Sequence, residues 1–157
     1  MNGLNRMLWT VATLLLITCT ARWASAAEPP ADLCSLLPVA VVSQTLGATY
    51  SGPEKTVAPR PFPNTAQGTD CAYKSSSHNL VFRIYIDPSP QTATELFAKL
   101  KLYFGSGSTP VTNLGDEAYM DTHHGLHVRK GKVRFFLDGR ATDQQLKSLA
   151  TGIAGQL

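Results

Sequence analysis

The sequence predicts an α+β domain, an antiparallel sheet of five to six strands with helices packed against it and one disulfide. Alternation is clearest in LVFRIYID, residues 80–87, where Val81, Arg83 and Tyr85 share one face and Phe82, Ile84 and Ile86 the other. Three separate segments repeat apolar residues at helical spacing. The third observation is an even pair of cysteines, Cys34 and Cys71, in a chain that carries an export segment.

Residues 1–26 read as that segment. Arg6 precedes an uncharged run from Leu8 to Ala21, and Ala24-Ser25-Ala26 fits the small-x-small rule for cleavage. The run meets Arg22 before reaching the roughly 20 apolar residues of a membrane span. Cys19 invites a lipid anchor, but Thr18 stands where a lipid-acceptor cysteine normally follows Gly, Ala or Ser, so anchoring is disfavoured. The expected mature protein is a single domain, residues 27–157, periplasmic or extracellular. Trp9 and Trp23 both lie in the removed piece, so its fluorescence should come from tyrosine alone.

The elements follow in order. Asp32 can cap a turn, and Pro38 can open a helix to Leu46, stopped by Gly47. Residues 48–57 form a weak strand, and residues 59–68 hold Pro59, Pro61, Pro63 and Gly68, a density that reads as a surface loop. Residues 71–74 and 80–87 make a hairpin with one face buried. Ser89 can cap a helix over 90–104, whose stripe is Ala93, Leu96, Phe97, Leu100 and Phe104. Residues 117–122, 126–130 and 132–138 read as strands turning at His124-Gly125 and at Gly131. Thr142 with Gln145 forms a capping box for a helix over 142–156 with the cleanest apolar stripe of the chain. An echo at an offset of 46, in which Ala72-Tyr73, His78 to Leu80 and Arg83 recur as Ala118-Tyr119, His124 to Leu126 and Arg129, raises a duplicated hairpin-plus-helix unit.

Composition narrows function. Removing Arg6 and Arg22 from the 14 Lys+Arg leaves 12 against 11 Asp+Glu, a balance of +1, which disfavours a nucleic-acid partner. Cys34 and Cys71 are too far apart for a C-x-x-C redox motif and read as a structural bond. There is no G-x-S-x-G, and Asp116, Glu117 and Asp121 are scattered acids rather than a defined glycosidase pair, with Asp116 expected to brace the Leu114-Gly115 turn. No cofactor motif is found.

Two clusters and a loop remain as candidate sites. Asp121, His123, His124 and His127 are donors suited to zinc, copper or nickel, with His78 a fourth histidine if the two hairpins lie side by side. Arg129, Lys130, Lys132 and Arg134 make a basic hairpin able to contact an anionic glycan, headgroup or protein. The proline-rich loop is the longest segment without regular structure.

The order Cys34-x-Leu36-Leu37, Leu46-Gly47, Cys71-x-Tyr73, Phe97, Leu114-Gly115-Asp116-x-Ala118-Tyr119 and Arg129-Lys130-Gly131 is similar to small bacterial cell-envelope domains, many of them lipoproteins of unknown function. The resemblance implies an α+β sandwich with a Cys34 to Cys71 bridge, and no reaction. The expected function is a non-catalytic exported module that binds an envelope protein, glycan or small molecule. A periplasmic metal-binding protein using His123, His124 and His127 is the alternative, and an envelope-polymer hydrolase a further one.

Overall fold

The structure, a computed structural model, describes residues 28–104 and 107–157. The export segment, Cys19 and both tryptophans lie outside the described residues. A 3-10 turn, Leu33–Leu36, begins at Asp32, whose side chain accepts from the Cys34 N–H. Pro38 then sits at the N-cap of α1, Val39–Leu46, and Gly47 ends it at φ +69°.

The strands are β1 Ser51–Ala58, β2 Gly68–Lys74, β3 Asn79–Ile86, β4 Thr109–Pro110, β5 Glu117–Met120, β6 Leu126–Lys130 and β7 Val133–Gly139. They form one antiparallel sheet in the order β1-β2-β3-β7-β6-β5-β4. The count is seven rather than five to six. The added strand is β4, two residues that pair with Met120 and Tyr119 through backbone alone and so leave no side-chain pattern. Helices α2, Pro90–Tyr103, and α3, Asp143–Ala154, start at their expected caps: Ser89 Oγ accepts from Thr92 N at 3.1 Å, and Thr142 forms the capping box with Gln145.

Registry sorts the side chains into two faces. Phe82 lies opposite Leu137, Ile84 opposite Phe135, and Val128 opposite Phe135 from the other side. These pack with Leu146, Leu149 and Ile153 of α3, with Val42 of α1 and with the Cys34–Cys71 bond into the main core. The disulfide joins the turn before α1 to the centre of β2 across 37 residues, an arrangement worth about 4 kcal/mol by loop closure. Tyr73 donates its buried hydroxyl to the Leu37 carbonyl beside it.

The opposite face carries Asp70, Arg83, Tyr85, Arg134, Phe136, His127 and Tyr119. It is covered rather than bare, which revises the expectation of a sheet buried on one side. α2 lies across it, placing Phe97 5.1 Å from Tyr119 and Phe104 5.0 Å from His127, centroid to centroid. The molecule therefore has three layers, α1 and α3, then the sheet, then α2 with the proline-rich loop.

The echo at offset 46 does not survive registry. Tyr73 pairs with Leu80, whereas Tyr119 pairs with His127 and Met120 with Leu126, a pairing slipped by one residue. A one-residue slip reverses faces. Tyr73 thus enters the main core and Tyr119 the layer under α2.

Candidate functional site, a cleft between the proline-rich loop and α2

A cleft of about 380 Å³ opens on the α2 side of the sheet. Arg83 and Tyr85 of β3, Arg134 and Phe136 of β7 and His127 of β6 form its floor. Phe97, Leu100, Tyr103 and Phe104 make one wall, and Pro59, Arg60, Pro61 and Phe62 the other. Its size falls at the lower end of the range for small-molecule sites, about 300–1,000 Å³.

The loop is held in place by the sheet. Tyr85 donates its hydroxyl to the Pro59 carbonyl at 2.9 Å. The chain then turns at residues 61–65, where Thr65 donates to the Phe62 carbonyl at 2.7 Å, and returns through Gly68. A Cβ on Gly68 would meet the Tyr85 ring and the Ile84 carbonyl oxygen, each at 2.7 Å, so only glycine lets β2 begin this close to the cleft floor. The prolines keep the loop extended without demanding ladder hydrogen bonds.

Every cation of the floor is oriented by an aspartate that does not itself line the cleft. Arg134 donates Nε and Nη2 to Asp87 at 2.5 and 3.0 Å, and both side chains are essentially inaccessible. Its remaining nitrogen, Nη1, is buried with no partner, and the guanidinium lies 5.0 Å from the centre of the Tyr85 ring. Arg83 is bidentate to Asp70 at 2.6 and 2.8 Å, and that hydrogen bonding raises its already high pKa further. Arg60 has no acidic partner among the described residues.

His127 is the fourth polar group. Nε2 lies 2.9 Å from Asp121 Oδ2, and the ring is enclosed by Tyr119, stacked at 4.6 Å and 12°, by Phe136 at 4.4 Å and by Phe104. Burial lowers the imidazole pKa below 6.5 and outweighs the pull of Asp121. Burial acts to raise the Asp121 carboxyl, but the hydrogen bond with His127 and the backbone N–H groups of Gly125 and His123 outweigh it, so its pKa is lowered. The resting pair is a neutral imidazole donating to a carboxylate.

The predicted clusters are divided by the fold. His123 and His124 are exposed on the β5–β6 turn, where His124 approaches Asp143 at 3.6 Å, while His127 is buried under α2. His78 is in the β2–β3 turn, and β7 separates that hairpin from β6. No group of three His, Cys, Asp or Glu able to hold a metal ion occurs among the described residues. Arg134 belongs to the cleft floor, whereas Arg129 is tied to Asp116 at 2.9 Å and Lys130 and Lys132 flank the Gly131 turn. Asp116 also accepts from Gly131 N at 2.7 Å, so it braces the β6–β7 turn rather than the Leu114-Gly115 turn. Sequence reasoning singled out the proline-rich loop, Arg134 and His127 but missed Arg83, Tyr85, Phe136, Tyr103 and Phe104. For Arg83 and Tyr85 the signal was the row Val81, Arg83, Tyr85, which resembles a solvated strand face.

The lining residues are proline, arginine, phenylalanine, tyrosine, leucine and histidine, so the wall offers hydrogen-bond donors and aromatic surface but no carboxylate or aliphatic hydroxyl. The chain matches no family model, no curated protein and no solved structure. No helix among the described residues is long and apolar enough to cross a membrane.

Proposed function

We propose that this chain is an exported, non-catalytic binding module of the cell envelope whose ligand is a small molecule with an apolar body, held in the cleft beneath the proline-rich loop. The observation that carries this reading is the aromatic cleft of about 380 Å³, lined by Phe97, Leu100, Phe104, Phe136 and Phe62. Apolar surface of that kind left facing water marks a binding site more often than a packing fault. Export is supported by the leader-like residues 1–26 and by a disulfide, a bond that persists in oxidising compartments. The resemblance to small envelope domains agrees with that location and names no reaction.

Nile red, a neutral apolar dye, tests the cleft. One saturable site per chain is expected, lost in Leu100→Trp, which fills the wall, and retained in Leu102→Ser, which removes an exposed leucine of the same helix outside the cleft. Dye binding that is unsaturable, or unchanged by Leu100→Trp, refutes the reading. The mass of protein recovered from the exported fraction tests location: it should begin at Ala27 and be two hydrogens light.

A further inference from the structure

We infer that the ligand of this cleft is a monocarboxylate, its apolar body between the aromatic walls and its carboxylate against Arg134, with Arg60 at the edge of the cleft. The inference rests on the cleft reading above and specifies the chemistry it selects.

The placement of charge carries it. Arg60, Arg83, Arg134 and His127 line the cleft, whereas Asp70, Asp87 and Asp121, which orient three of them, do not. An entering molecule therefore meets guanidinium N–H groups and aromatic faces, with the acids behind and the one N–H of neutral His127 already given to Asp121. A cationic ligand would meet like charge, and a purely apolar one would leave Arg134 Nη1 unsatisfied. That nitrogen is buried and unpartnered within the fold, so a ligand oxygen seated on it, after a side-chain shift that opens it to the cleft, adds a charge-assisted hydrogen bond that the empty fold lacks.

The number of negative charges follows from the pairing. Arg83 and Arg134 are each matched by one aspartate, and the Asp121 carboxylate is satisfied by His127 and two backbone N–H groups. Of the three guanidinium groups that line the cleft, Arg60 alone has no acidic partner among the described residues, so a single negative charge is balanced there and a second is not.

Calorimetric titration of two matched pairs separates this inference from the cleft reading. The pairs are decanoate against decanol and 4-phenylbutyrate against 4-phenylbutanol. In the wild-type chain at least one acid should bind ten-fold or more tighter than its alcohol. Arg60→Gln, on the exposed loop, should reduce that preference several-fold, whereas Leu102→Ser, outside the cleft, should leave it unchanged. Equal affinity for acid and alcohol overturns the carboxylate and leaves the apolar cleft standing. Nile red binding with neither acid bound also overturns it, as does decyl phosphate binding more tightly than decanoate. Absence of dye, acid and alcohol binding together removes the cleft reading as well.

Discussion

Asp121 and His127 lie six residues apart across the β5–β6 turn, and their side chains meet 2.9 Å apart beneath three aromatic rings. The unfolded chain has no such enclosure, so each group titrates near its ordinary value there. For His127 the folded pKa is lowered from 6.5 by burial, so the unfolded state takes the proton first as pH falls. Stability is then complete above about pH 6.5 and declines below it, because the unfolded state binds more protons. Asp121 and, more weakly, Asp138 pull the other way and limit the slope without reversing it. Asp121 itself, lowered from 3.8, adds a further loss only in the acid range. Urea midpoints between about pH 5 and pH 7.5 should rise with pH in the wild type and be flatter in His127→Gln. Equal slopes in the two proteins would show that other groups set the dependence.

The Arg134–Asp87 pair makes a sharper stability prediction. Both side chains are buried, and the pair joins the start of β7 to the turn before α2. Arg134→Met leaves Asp87 buried without its partner and should cost about 3–5 kcal/mol in urea denaturation. The double variant Arg134→Met with Asp87→Leu removes both charges and should recover most of that loss. A single variant that costs under about 1 kcal/mol, or a double variant no better than the single, contradicts the assignment of the loss to an orphaned buried charge.

Gly125 couples the turn to the dyad. A Cβ there would meet Asp121 Oδ2 at 2.7 Å and overlap the Phe136 ring, while the Gly125 N–H donates to Asp121 Oδ1 at 2.9 Å. Gly125→Ala should destabilise by about 1–3 kcal/mol through overpacking. It should also flatten the pH dependence by displacing the carboxylate from His127. Thermal melts at two pH values check both effects, and loss of stability with an unchanged pH slope would separate the packing strain from the dyad.

How much of this was legible depends on whether a feature is local. The starts of α2 and α3 were, because Ser89 with Thr92 and Thr142 with Gln145 are contacts within one helical turn. The disulfide was, because with Cys19 read into the export segment Cys34 and Cys71 allow one connectivity. The cleft was not. Arg83, Tyr85, Arg134 and Phe136 alternate with core residues as a solvated row would, and only the landing of α2 on that face decides that they are covered. The α2 stripe of Ala93, Leu96, Phe97, Leu100 and Phe104 could be read, but nothing along the helix names the face it meets. His127 was read beside His123 and His124 because they are sequence neighbours. Its pairing with Tyr119 and Phe136 instead turns it into the layer under α2.

The basic hairpin and the cleft can be separated by charge reversal. Lys130 and Lys132 stand at the two sides of the Gly131 turn and do not line the cleft, whereas Arg60 does. Lys130→Glu with Lys132→Glu should leave Nile red and decanoate affinity within about two-fold of wild type, because exposed charges at a distance are screened in salt. The melting temperature should move by no more than a degree or two, as expected for partly exposed positions without ion-pair partners among the described residues. Arg60→Glu should instead weaken decanoate at least ten-fold, by placing a negative charge where the carboxylate is balanced. If the lysine reversals weaken decanoate as strongly as Arg60→Glu, the hairpin rather than the cleft attracts the anion.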